Sequence, residues 1–258
     1  MSVESQLDVA RLPAEGRVVH VSTPSVDSSL GMKMLPSVLS MIAGSSDVIG
    51  FLGLGGLFTA HITGNLILLA AHIVSGTGVN PMHLLSVPVF IAVLGLTRLL
   101  VSGLEAAGLA SLRPLLLLQL LLVTGFLAFA VAASPSVSPR MITILAGMLG
   151  VSAMAVQNAM VVMSIKDSPS TAVMTTNITR FVMDVGEVLL SNNLEKVAEA
   201  RRRARHTFPA IIGFSVGAGL GAGCFVVAGL WSLMLPTTLA VLALAISLAA
   251  PEIDQPST

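Results

Sequence analysis

The sequence predicts an all-α polytopic membrane protein with six transmembrane helices. They form two three-helix inverted repeats, each with an additional interrupted or re-entrant segment. Three observations lead there: too little charge for a water-facing surface, six apolar stretches of spanning length, and a short echo between the two halves. Hydrophobic residues make up 54% of the 258 and charged residues 10%, against about 25% charged in soluble domains. Mean hydropathy is +0.92. Lys and Arg number 13, as do Asp and Glu, so no net charge recommends a nucleic-acid partner. The single cysteine, Cys224, excludes an intrachain disulfide and a cysteine-rich metal centre. One tryptophan, Trp231, and no tyrosine leave a thin aromatic belt.

A spanning helix takes roughly 20 mostly apolar residues. Residues 1–33 form a polar N-terminal tail without the basic n-region and apolar run of a signal peptide. The first span, 34–58, is therefore expected to act as an uncleaved signal-anchor. Segment 59–76 is apolar but follows with almost no turn, and spans 84–104 and 114–133 complete a first half, about 34–133. Span 141–163 opens a second half, about 141–250. Segment 171–191 contains Arg180, Asp184 and Glu187, each costing roughly 2.5–3.5 kcal/mol at the bilayer centre, so it is a poor simple span. Spans 208–231 and 233–250 follow, then a polar tail, 251–258. Residues 34–250 read as a single integral membrane domain.

With six spans and both termini cytoplasmic, every Lys and Arg except Arg140 lies inside or near the inner interface, as the positive-inside rule requires. Arg98 counts among them because it snorkels from the inner end of its span. Eight spans would place Arg98, Arg113 and Lys166 outside and Arg180 within the bilayer. The cluster from Arg201 to Arg205 reads as a topology anchor on a cytoplasmic helix or as an anionic-lipid site.

The echo pairs Thr59, Ile62 and Thr63 with Thr175, Ile178 and Thr179, 116 residues on. Each match follows a long apolar helix and precedes two more spans. Discounting the extra KDSPS at 166–170 sets Asp47 opposite Asn158. Three spans per half is odd, so the halves must be oppositely oriented, an architecture many transporters share.

The stretch AGSSDVIGFLGLGGLFTAHITGNL, 43–66, resembles the signature of the YoaK-like bacterial membrane proteins, with its Ala-Gly-x-x-Asp and its Thr-Gly-Asn turn. Gln157-Asn158-Ala159 followed by Thr175-Thr176 resembles the second signature of that family, and the likeness runs over about 35–250. Where the family usually has Thr-Gly, this chain has Thr179-Arg180. The resemblance implies an integral protein of the inner (plasma) membrane and supplies no substrate.

The candidate site residues are Asp47, Thr63, Gly64, Asn65, Gln157, Asn158, Thr175, Thr179, Arg180, Asp184 and Glu187. A lone carboxylate inside a span is costly unless it faces a polar cavity, pairs or is protonated. Asp47 is therefore either a proton or cation site or a structural tie between helices, with Ser45, Ser46, Gln157 and Asn158 as candidate partners. Thr63-Gly64-Asn65 suits a helix start, whose N–H groups bind anions or carbonyls at membrane depth; the plainer reading is a tight turn. Arg180, Asp184 and Glu187 share one helical face, either lining a cavity or solvated. His61 and His72 are too far apart in sequence for a helical metal pair, and no metal or cofactor is expected. Gly213, Gly217 and Gly221 form a small-residue stripe, for packing within the chain or for a homo-oligomer.

No P-loop, H-E-x-x-H, G-x-S-x-G or C-x-x-C occurs, so no enzyme is expected. The leading expectation is a transporter or permease for an unknown small solute, proton-coupled through Asp47. The alternatives are a non-transporting membrane partner or assembly protein and, last, an intramembrane enzyme.

Overall fold

The computed structural model describes residues 26–76, 78, 80–133, 139–165, 169–171 and 173–250. Eight helices follow one another: α1 Val26–Gly53, α2 Ile62–Ser75, α3 Pro81–Ala106, α4 Leu112–Ala132, α5 Pro139–Ser164, α6 Met174–Leu190, α7 Leu194–Ala228 and α8 Met234–Ala249. The fold is all-α, and no strand occurs among the described residues. Since α1 begins at Val26, the last part of the expected polar tail is already helical. The rest of that tail, 1–25, and the C-terminal tail, 251–258, lie outside the described residues.

Among the described residues five stretches are long and apolar enough to cross a membrane: Met32–Gly53, Pro81–Ala106, Leu112–Ala132, Met141–Ser164 and Leu194–Ala249. The expected count was six. The difference arises because 208–231 and 233–250 fall in one helical stretch of 56 residues. A 3₁₀ turn, Gly229–Leu233, interrupts it, and Gly229 sits at φ +55°, a conformation open to glycine. Helix α7 has 35 residues, about 52 Å at a 1.5 Å rise. That exceeds a hydrocarbon core of about 30 Å. By contrast α2 has 14 residues and α6 has 17, about 21 and 26 Å, so neither reaches across.

Local signals set the helix starts. The Asn80 side chain accepts from Met82 N at 3.0 Å, and Pro81 opens α3. Asn193 accepts from Glu195 N and Lys196 N at 2.9 and 3.2 Å, capping α7.

Helices α1 and α7 meet backbone to backbone. A Cβ added at Gly213 would stand 2.5 Å from the Ser37 carbonyl oxygen, one at Gly217 2.6 Å from Met41 Cα, and one at Gly221 2.9 Å from Ser45 Cα. These contacts advance together along both helices, so α1 and α7 run parallel. The stripe Gly213, Gly217, Gly221 is thus filled by α1 of the same chain. Of its two expected roles, packing within the chain is the one these contacts serve.

Helix α5 runs antiparallel to α1, with Gln157 beside Leu39 and Gly147 beside Leu54. It is also antiparallel to α4, through Ser111 with Ser164, Gln119 with Gln157 and Phe126 with Gly150. Beside α3 it runs parallel, from Met82 at Gly147 to Arg98 near Asn158 and Val162. The other packed pairs are α1 with α8, α4 with α8, α2 with α3 and α6 with α7. One apolar cluster centres on Leu39, Ile42, Leu115 and Met154, another on Ile49, Leu57, Phe126 and Leu233. The break that follows α1 contributes Ala60 to the first and Leu54 and Leu57 to the second.

Candidate functional site

Asp47 organises that break. The residue is 2% exposed. Its Oδ1 accepts from Thr59 N at 2.7 Å, Ala60 N at 2.6 Å and Thr59 Oγ1 at 3.0 Å. Its Oδ2 lies 2.5 Å from His61 Nδ1. The carboxylate therefore satisfies backbone donors freed where the chain leaves α1, a need that low polarity makes acute. Ser45, a predicted partner, instead bonds back to Met41 O at 2.7 Å within its own helix. Gln157 and Asn158 bond elsewhere than to Asp47 as well.

Asn65, fully buried, fastens the same break from the other side. Its amide donates to Phe58 O at 2.7 Å and accepts from Phe58 N at 2.9 Å. Helix α2 starts at Ile62, with His61 in the cap position and no side-chain cap. Thr63 and Asn65 therefore lie inside the first turn and do not cap it, which corrects the predicted helix start. Gly64 has a packing reason: a Cβ there would stand 2.9 Å from the Phe58 ring.

The break before α6 is built alike. Asn177 Nδ2 donates to Ser170 O at 2.5 Å, seven residues back, the separation seen between Asn65 and Phe58. Val173 before α6 has φ −95° and ψ 72°, and His61 before α2 has φ −87° and ψ 67°. Gln157 Nε2 donates to Thr171 Oγ1 at 2.8 Å and to Leu39 O at 2.9 Å, and accepts at Oε1 from Gln119 Nε2 at 2.6 Å. By geometry Thr59 answers to Thr171, Thr63 to Thr175 and Asn65 to Asn177. The sequence match of Thr59 to Thr175 is one helical turn late. It followed the Ile-Thr pairs, whereas the shared hydrogen bonds follow the asparagines.

Both breaks open on one cavity of about 770 Å³. Ala60, His61, Ile62 and Thr63 line it from the first, and Val173, Met174 and Thr175 from the second. The remaining wall comes from α3, with Phe90, Leu94 and Arg98, and from α5, with Asn158, Ala159, Val162 and Met163. No Asp or Glu lines it among the described residues.

Of the predicted site residues, Thr63, Asn158 and Thr175 line this cavity. Asp47 stands behind His61, and Gln157 and Asn65 hold the two breaks. Thr179 is exposed and bonds to Thr175 O at 2.9 Å, and Arg180 is exposed; neither reaches the cavity. Asp184, 7% exposed, pairs with Arg203 Nε at 2.8 Å, and Arg203 also meets Glu199 at 3.1 Å. Glu187 is half-buried on the same helix. The predicted charged face of Arg180, Asp184 and Glu187 therefore serves α6–α7 packing through Asp184, not the cavity.

His61 and Arg98 are not among the predicted site residues: from sequence His61 reads only as a candidate metal ligand and Arg98 only as a topology charge. A charge inside an otherwise apolar span was the available signal for Arg98. Among the described residues no group of three His, Cys, Asp or Glu stands together for a metal ion.

In comparisons with known proteins, residues 35–246 match a family described as protein of unknown function (DUF1275). No curated protein matches the chain, and no solved structure does.

Proposed function

The chain belongs to the DUF1275 family, whose function is unknown, and from its cavity we propose that it is a transporter or permease for a small solute, proton-coupled through Asp47. The carrying observation is the convergence of two interrupted segments on one cavity, with the Asp47–His61 pair in its wall. Interrupted segments meeting at a shared site are a feature of many transporters.

In this reading α1, α3, α4, α5, α7 and α8 cross the membrane, and α2 and α6 re-enter it. Helix directions support the count: α1, α4 and α7 point one way and α3, α5 and α8 the other, α8 running antiparallel to α4 from Leu233 in the cluster of Phe126 to Ser247 at Arg113. Helix pairing supports the inverted repeat. Exchanging α1, α2, α3 and α4 for α5, α6, α7 and α8 turns α1 with α7 into α5 with α3, α1 with α8 into α5 with α4, and α2 with α3 into α6 with α7. The pairs α1 with α5 and α4 with α8 map onto themselves. Exposed Lys196, Arg201, Arg202 and Arg205 at the start of α7 support cytoplasmic termini in the plasma membrane. The YoaK-like resemblance is compatible with this family. In this reading the chain is a carrier rather than an enzyme.

His61 touches both the cavity and Asp47, so a proton shared between them responds to what occupies the cavity. In proteoliposomes with an imposed pH gradient, Asp47→Asn is expected to retain solute exchange and lose its response to the gradient. An unchanged pH dependence removes the coupling. No flux for any solute class, with a partner co-purifying in stoichiometric amount, favours the assembly-protein reading.

A further inference from the structure

We propose that the cavity takes a small organic anion, its acidic group at Arg98 and its apolar body against α3 and α5. This rests on the transport reading and names its substrate class. The charge of the lining decides the sign. His61 is closed onto the Asp47 carboxylate by their 2.5 Å contact, and Asp47 itself is buried behind it. Among the described residues, the other charged side chain that lines the cavity is Arg98.

Arg98 lies within the Pro81–Ala106 span, where a charge is retained only beside water or a counter-charge. Its acidic neighbour, Glu105, is 3.7 Å away, and the two side chains are 60% and 59% exposed. At 3.7 Å that contact is longer than a hydrogen bond, so a carboxylate in the cavity competes well for a guanidinium whose fork fits it. Thr63 and Thr175, also in the lining, add hydroxyl donors.

Apart from Asn158, the rest of the lining, Ile62, Phe90, Leu94, Val162 and Met163 among it, is apolar. Such walls are wasted on a bare inorganic ion, and about 770 Å³ is far larger than one. An acid with a hydrocarbon body uses both features. Among the described residues a cation finds no carboxylate in the lining.

Equilibrium dialysis of the purified full chain against radiolabelled benzoate and hexanoate tests the proposal, with benzamide and benzylamine as neutral and cationic counterparts. Saturable binding of at least one acid is expected, with neither counterpart matching it. Arg98→Gln should weaken binding about tenfold or more, as loss of a charge-assisted pair does, and Arg98→Lys should restore part of it. Leu94→Trp narrows the apolar part of the cavity without touching the charge and should also weaken binding. Size-exclusion profiles identify variants that fail to fold. Binding of neither acid, equal binding of benzamide or benzylamine, or benzoate and hexanoate binding untouched in a folded Arg98→Gln protein overturns the proposal. Acid binding without flux removes the transport reading and leaves this inference standing. Flux of a cation or neutral solute, without acid binding, does the reverse.

Discussion

Asp47→Ala is expected to destabilise the chain by about 3 kcal/mol or more. The substitution leaves the N–H groups of Thr59 and Ala60 buried without their acceptor, at roughly 1–3 kcal/mol for each unsatisfied group. It also removes the Thr59 hydroxyl's partner and cuts the tie to His61. Asp47→Asn is different: an amide oxygen can still accept at the Oδ1 position, and its nitrogen can donate to the imidazole in the matching tautomer. Thermal unfolding in detergent should place Asp47→Ala about 10 °C below the parent, with Asp47→Asn much closer to it. Equal stability of Asp47→Ala and the parent would show that the carboxylate does not hold the break. Because the two substitutions differ in stability and share the loss of charge, the pair separates structural support from proton coupling.

Gly217→Leu is expected to prevent α1 and α7 from docking. Even the first carbon of a side chain there stands 2.6 Å from Met41 Cα and collides with the Met41 carbonyl. Backbone cannot rotate aside as a side chain can, so the usual overpacking cost of about 1–3 kcal/mol is a lower bound. Gly219→Leu is the matched control, because a Cβ at Gly219 meets nothing within 4 Å. Folded yield after detergent extraction should fall sharply for Gly217→Leu and stay near the parent for Gly219→Leu. Similar yields for both would mean that the close approach is dispensable.

Much of the helical framework was legible, because long apolar runs and polar gaps are one-dimensional signals. Asp47 was legible for the same reason: a carboxylate amid apolar residues has no cheap solution in lipid. Its solution was not legible. Thr59, Ala60 and His61 reach Asp47 only because the chain reverses through the residues after Gly53, and no helical period relates positions across a break. Arg98 posed the opposite difficulty. Snorkelling explained it adequately from sequence, and only the neighbouring α5 wall revealed a cavity beside it. The charges of α6 misled because spacing identifies a shared face without saying what covers it; Arg203 on α7 covers Asp184.

The close seating of α7 on α1 has a consequence for biogenesis. The Ser37 hydroxyl donates to the Pro209 carbonyl at 2.7 Å across 172 residues of sequence. During synthesis α1 enters the membrane with that seat vacant, and it stays vacant until the ribosome has produced α7. Likewise α3 waits for α5. Each half of the chain therefore supplies a surface that only the other half completes, and neither is a module that matures alone. Insertion and folding are separated in time, with the early helices held as loosely associated spans until the last third of the chain arrives.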